Sequence, residues 1–183
     1  MMYWDQPGPE NTRNTLEAAL AAAQQRGIRY IVVASSSGAT AVQLAGRAAN
    51  LICVTYVSGF RNPGQMALLP ENRLLLEKQG IPILSTTHVL SGAERGISRK
   101  FGGVNPVEIM AAALRMLGQG VKVCVEIAVM ALDAGLIPYG EDIIAVAGTG
   151  TGADTALIIR PAHGANILDT YIAEIIAKPR VNV

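Results

Sequence analysis

A three-layer α/β/α sandwich around a mostly parallel sheet is the fold class this sequence predicts, and three observations carry it. Segments with helical spacing alternate with short apolar runs along most of the chain. The runs, RYIVVA and LICVTY among them, are apolar at successive positions rather than at every second one, the pattern of strands covered on both faces by helices. The 183 residues hold no linker, internal repeat or low-complexity stretch, so they fit one domain, 1–183. A domain of this size buries about 70% of the surface its unfolded chain exposes.

Taken in order, Asn11 to Arg26 has helical spacing, with Leu16, Leu20 and Ala23 on one side, Asn14 and Glu17 as a capping pair, and Gly27 as the stop. A strand over Arg29 to Ala34 is followed by a small-residue helix over Thr40 to Ala49 and a second strand, LICVTY. Gly and Pro punctuate SGFRNPGQMALLP as a loop, Glu71 to Gln79 reads as a helix ended by Gly80, and IPILST as a third strand. Ser91 to Gly103 is rich in glycine and basic residues without a period. Pro106 opens a helix through Leu117, at a position where a helix tolerates proline, and Val121 to Ala134 is another helix. The fourth strand is DIIAVAG, and after GTGTG both DTALIIRP and TYIAEIIAKPR read as strands.

Composition excludes several function classes. Fifteen basic against fourteen acidic residues leave a net charge of +1, with no dense basic cluster and few aromatic residues, so no nucleic-acid partner is expected. Cys53 and Cys124 each sit inside an apolar run and read as small buried hydrophobes rather than a disulfide, which suggests a reducing, cytoplasmic location. The start, MMYWDQPGPE, lacks a signal pattern, and the longest apolar stretch is interrupted by Glu126 and Asp133, so no membrane is expected. No His, Cys, Asp or Glu spacing suggests a metal.

The loop SSSGATA turns a strand directly into a helix. The free N–H groups of a helix start carry partial positive charge and favour an anion. Ser35, Ser36, Ser37 and Thr40 add hydroxyls, and Gly38 lets the backbone come close. On these residues alone, a serine that merely caps the helix is an equal reading. A Walker A lysine and the G-x-S-x-G frame of a hydrolase are both absent.

VVASSSGATA and VAGTGTGADTALIIRP together resemble the carboxyl-terminal α/β domain of pyruvate kinase, whose similar loops hold a phosphorylated effector. Over nearly the whole chain, NTRNTLEAALAAAQQRGIRYIVVASSSGATA, THVLSGAERGISRKFGG, GQGVKVCVEIAVMALDAGLIP and EIIAKPR resemble the small stand-alone pyruvate kinase α/β-domain proteins of archaea and bacteria. The resemblance implies a five-stranded core in the order 3-2-1-4-5 with the last strand antiparallel, and flavin mononucleotide (FMN) as the bound cofactor. Pyruvate kinase carries its phosphoryl transfer on a separate barrel, so no kinase activity is expected here. Ser36 and Ala39 stand where basic residues assist some effector loops of the kinase, which favours a single phosphate over a bisphosphate sugar.

In that strand order, the first and fourth strands flank a switch point where ligands of open α/β sheets settle. Gly148, Thr149, Gly150, Thr151 and Gly152 then form a second wall, with Asp154 at its far side, although a plain tight turn is the other reading of this loop. Asn11 and Thr12, with Gln119 and Lys122, belong to helix starts at the same edge. Lys122, Glu126 and Asp133 share one stripe of an apolar helix, either its exposed edge or the pocket wall, with the exposed edge favoured for Asp133. His88 follows the third strand and is either structural or an acid, base or ligand contact; His163 lies in a turn. Glu94, Arg95, Arg99 and Lys100 lie in a glycine-bounded segment that reads equally as a solvated run or as a lid over an anion. Two function classes follow: a protein that binds a phosphorylated small molecule, which is preferred, and an enzyme using flavin or acting on a phosphorylated metabolite. Glycine-rich edges suggest pairing with a second copy.

Overall fold

The computed structural model describes residues 1–181 and places seven strands in one sheet, ordered β1-β7-β6-β5-β2-β3-β4. The strands are β1 (Met2–Trp4), β2 (Tyr30–Ala34), β3 (Asn50–Thr55), β4 (Ile83–Ser85), β5 (Ile143–Ala147), β6 (Thr155–Arg160) and β7 (Tyr171–Pro179). The helices are α1 (Thr12–Arg26), α2 (Ala39–Leu44), α3 (Pro70–Lys78), α4 (Gly92–Phe101), α5 (Pro106–Arg115) and α6 (Gln119–Asp133). β4, β3, β2 and β5 run parallel and β6 antiparallel, the expected five-stranded core with its last strand reversed. β7, antiparallel to β6, and β1, parallel to β7, extend it.

Each central strand feeds two cores. Ile31 and Val33 of β2, with Ile144 and Val146 of β5, face Leu16 and Ala19 of α1, Ala41 and Leu44 of α2 and Leu76 of α3. Val32, Ile143, Ala145 and Ala147 face Val121, Cys124, Val125 and Ala128 of α6 on the other side. This is the three-layer sandwich that successive apolar positions imply. Gly27 closes α1 in the left-handed conformation at φ 66°, and Asn105 with Glu108 forms a capping box behind Pro106.

Three local expectations are corrected. Asn14 and Glu17 make no cap: α1 begins at Thr12, with Asn11 as its N-cap residue, and Glu17 instead pairs with Arg47 at 2.8 Å. α2 stops at Leu44 because Ala45 turns extended and Gly46 is left-handed. Ser91 to Gly103 is no aperiodic loop: Gly92–Phe101 is the helix α4. Its Glu94 carboxylate accepts the Val107 N–H at 3.0 Å and so caps α5 rather than reaching toward a ligand. The strand β1 is absent from the sequence reading because three residues are too few to show a period. No helix among the described residues is long and apolar enough to cross a membrane.

Candidate functional site

β2 and β5 are adjacent and parallel, yet the chain leaves β2 toward β3 and reaches β5 only after returning through α4, α5 and α6. The carboxyl ends of these two strands therefore open on the crevice of a switch point. A pocket of about 570 Å³ lies there, in the range of small-molecule sites.

Ser35, Ser36, Ser37 and Thr40 line one wall, and Gly148, Gly150, Thr151 and Gly152 line the other. Thr12, Gln119, His88, Lys122 and Glu126 complete the expected residues that reach the pocket. Gly38, Thr149 and Asn11 are not among its lining. Gly38 is left-handed, at φ 88°, and an added Cβ would come within 2.8 Å of Asn72 Cβ and Leu68 Cδ1, so its bareness serves packing against α3. Thr149 donates its N–H to Asp154 Oδ2 at 3.1 Å, and the Asn11 amide donates to the Gln6 carbonyl at 2.8 Å.

The serine loop divides its labour. Ser35 Oγ accepts the N–H groups of Thr40 at 3.1 Å and Ala41 at 3.3 Å, so the buried Ser35 is the cap of α2. Ser37 Oγ accepts the Ala39 N–H at 3.4 Å, and the Gly38 N–H turns back to the Ser35 carbonyl at 3.3 Å. The N–H groups expected to meet an anion are thus already engaged. Those of Ser36 and Ser37 donate to no other group among the described residues and remain beside the pocket. The glycine loop is pinned from behind: Thr12 Oγ1 accepts the Ala153 N–H at 3.0 Å, and the fully buried Asp154 accepts the Gly8 N–H at 3.2 Å and the Thr155 hydroxyl at 2.8 Å.

Under these walls lies a buried ion pair. Lys122 Nζ is 2.6 Å from Glu126 Oε2, and Glu126 Oε1 accepts the Leu90 N–H at 3.0 Å. Burial pushes the Lys122 ammonium below its ordinary pKa, the carboxylate of Glu126 opposes that, and the like charges of Arg115 and Arg95 add to it. His88 is also pushed down, first by burial, with Glu126 acting in the opposite direction, so its ring favours the neutral form.

His88 belongs to an aromatic group that sequence reading missed. Its ring lies 5.2 Å from Phe60 and 5.7 Å from Tyr56, and the last two are 4.3 Å apart. All three line the pocket. The available signal was position: Tyr56 ends the run LICVTY at the same sheet edge as Ser35, and Phe60 follows in the next loop. Arg13, Arg95 and Arg115 add positive charge to the lining, and the Arg115 guanidinium donates to Gln119 Oε1 at 2.8 Å. Arg99 and Lys100 do not line it. Asp133 lies on the exposed edge, as favoured, and accepts the Gly164 N–H while pairing with His163 Nδ1 at 2.8 Å. Among the described residues no three His, Cys, Asp or Glu groups are placed to hold a metal ion.

The family of the pyruvate kinase alpha/beta domain matches residues 13–159, a span that contains both pocket loops, the Lys122–Glu126 pair and the five-stranded core but for its last residue, Arg160. A match over that much of the chain, on a sheet of this order, makes the protein a member of the pyruvate kinase α/β-domain family.

Proposed function

We propose that the pocket binds a phosphorylated small molecule, FMN, and holds it without transferring its phosphate. The observation that carries this reading is the coexistence, in one pocket, of a hydroxyl-lined loop whose Ser36 and Ser37 N–H groups have no partner among the described residues and an aromatic group of Tyr56, Phe60 and His88. Ser36 and Ser37 offer donors to a phosphate, the aromatic faces suit a flat ring system, and Arg13 with Arg95 offsets the negative charge. When bound, the flavin supplies redox capacity, while the chain's own residues bind, orient and cover it.

The test is a titration of FMN against riboflavin, which has the same ring and no phosphate. A charge-assisted phosphate contact of about 1.5 to 3 kcal/mol makes FMN roughly ten- to a hundred-fold tighter. Equal affinities would remove the phosphate from the serine loop. Phosphoenolpyruvate with ADP and magnesium is expected to yield no pyruvate, and pyruvate formation would overturn the reading of a binding domain.

A further inference from the structure

Lys122 is the one buried basic side chain among the described residues, 4% exposed, and it lines the pocket from an otherwise apolar stretch of α6. Stability alone does not account for it. A buried ion pair costs desolvation that its attraction barely repays, and apolar residues of similar volume would hold α6 against the sheet at least as well. What the pair does provide is an amine whose proton has a place to go. Glu126 Oε2 stands 2.6 Å from Nζ, and the other carboxylate oxygen is fixed by the Leu90 N–H. Arg95 from α4, Arg115 from α5 and His88 after β4 line the same pocket as this amine. The two arginines have no place for its proton and disfavour the ammonium, and of the bases there the Glu126 carboxylate is the one in contact with it.

We propose that Lys122 forms an imine with the carbonyl carbon of an aldehyde that carries a phosphate group. The ammonium gives one proton to Glu126, and the freed nitrogen lone pair forms the C–N bond as the carbonyl π pair moves to oxygen. A proton passes from nitrogen to that oxygen, giving a carbinolamine. Glu126 then returns its proton to the hydroxyl, the C–O bond breaks and water leaves. Ammonium and aldehyde become a protonated imine and one water, with no oxidant or reductant consumed. The phosphate half of this proposal rests on the reading of Ser36 and Ser37 given above, and the lysine half does not.

The probe is pyridoxal 5′-phosphate, an aromatic aldehyde with a phosphate, added to the full chain, reduced with borohydride and mapped by peptide mass spectrometry. The chain has four lysines, of which Lys78 and Lys100 are exposed and Lys178 half-buried. The expected result is labelling of Lys122 about tenfold or more faster than of the other three. Pyridoxal, which lacks the phosphate and is intrinsically less reactive because its aldehyde closes on its own hydroxyl, should lower the ratio of Lys122 to Lys78 labelling roughly tenfold or more. Glu126→Gln, with its fold checked by thermal melting, should slow labelling by about tenfold or more. Labelling spread evenly over the four lysines, or confined to the other three, overturns the lysine half and leaves the flavin titration standing by itself. Equal Lys122-to-Lys78 labelling ratios for the two aldehydes overturn the phosphate half.

Discussion

Lys122 and Glu126 stand one turn apart on α6, Nζ 2.6 Å from Oε2, with each side chain 6% exposed. Removing one partner leaves the other charge buried and alone. Glu126→Ala should therefore destabilise the fold by about 3–5 kcal/mol, whereas the double change Lys122→Met with Glu126→Leu should cost far less. Urea unfolding of both variants measures this, and a double variant weaker than the single one would contradict it.

Two kinds of substitution in the serine loop should separate folding from binding. Gly38 has φ 88° and its missing Cβ would strike Asn72 and Leu68, so Gly38→Ala should cost about 1–3 kcal/mol of stability, read by thermal or urea unfolding. Ser36 is half-buried and its fold-holding bond is made by its backbone carbonyl, which accepts the Thr55 hydroxyl at 2.8 Å. Ser36→Ala should leave stability within about 0.5 kcal/mol and weaken FMN binding alone. A stability loss equal to that of Gly38→Ala would place the Ser36 hydroxyl in the scaffold.

The second wall gives a parallel test. Thr12→Val removes the acceptor of the Ala153 N–H and leaves a buried donor unpaired, at a cost of about 1–3 kcal/mol. Amide exchange at Ala153 should accelerate with it, and unchanged exchange would show that another group holds the loop.

His88 sets a pH dependence. Its folded pKa is lowered by burial beneath the unfolded value near 6.5, so the unfolded chain takes up the proton first. The contribution of His88 to stability is full above pH 6.5 and declines as the pH falls from there toward the folded pKa. Denaturant midpoints measured across that range should drop more in the native sequence than in His88→Asn, and parallel curves would refute the assignment.

The two thiols should be silent in the folded chain. Burial pushes Cys53 up to about 12 and Cys124 well above its ordinary value, with Asp154 adding to the latter. Both lie buried in the two cores. A thiol reagent should find no reactive group under native conditions and two in denaturant. Because unfolded thiols ionise near pH 9.0 and these do not, stability should decline as the pH rises past that value.

The sequence by itself determined the layers, the five core strands and the sheet edge at which the pocket opens, because runs such as YIVVA fit strands covered by helices on both faces. It also named both pocket loops, since glycine and hydroxyl residues at strand ends mark the turns where backbone groups are left free. Tertiary structure decided what local pattern does not encode. α4 carries Ala93, Ile97 and Phe101 at a spacing of four but buries no side chain, and its glycines and charges masked it as a loop, while β1 exists only through pairing with β7 about 175 positions away. Ser35 and Ser36 both line the pocket, and which of them spends its hydroxyl on α2 depended on the backbone direction that folds Ser35 back on Thr40 and Ala41. Glu126 could have faced solvent or pocket by its spacing alone; the packing of α6 against the sheet, with Leu90 overhead, turned it and Lys122 inward. Tyr56 and Phe60 come from the loop after β3 and His88 from the loop after β4, and only the sheet edge that brings the two loops together makes them one wall.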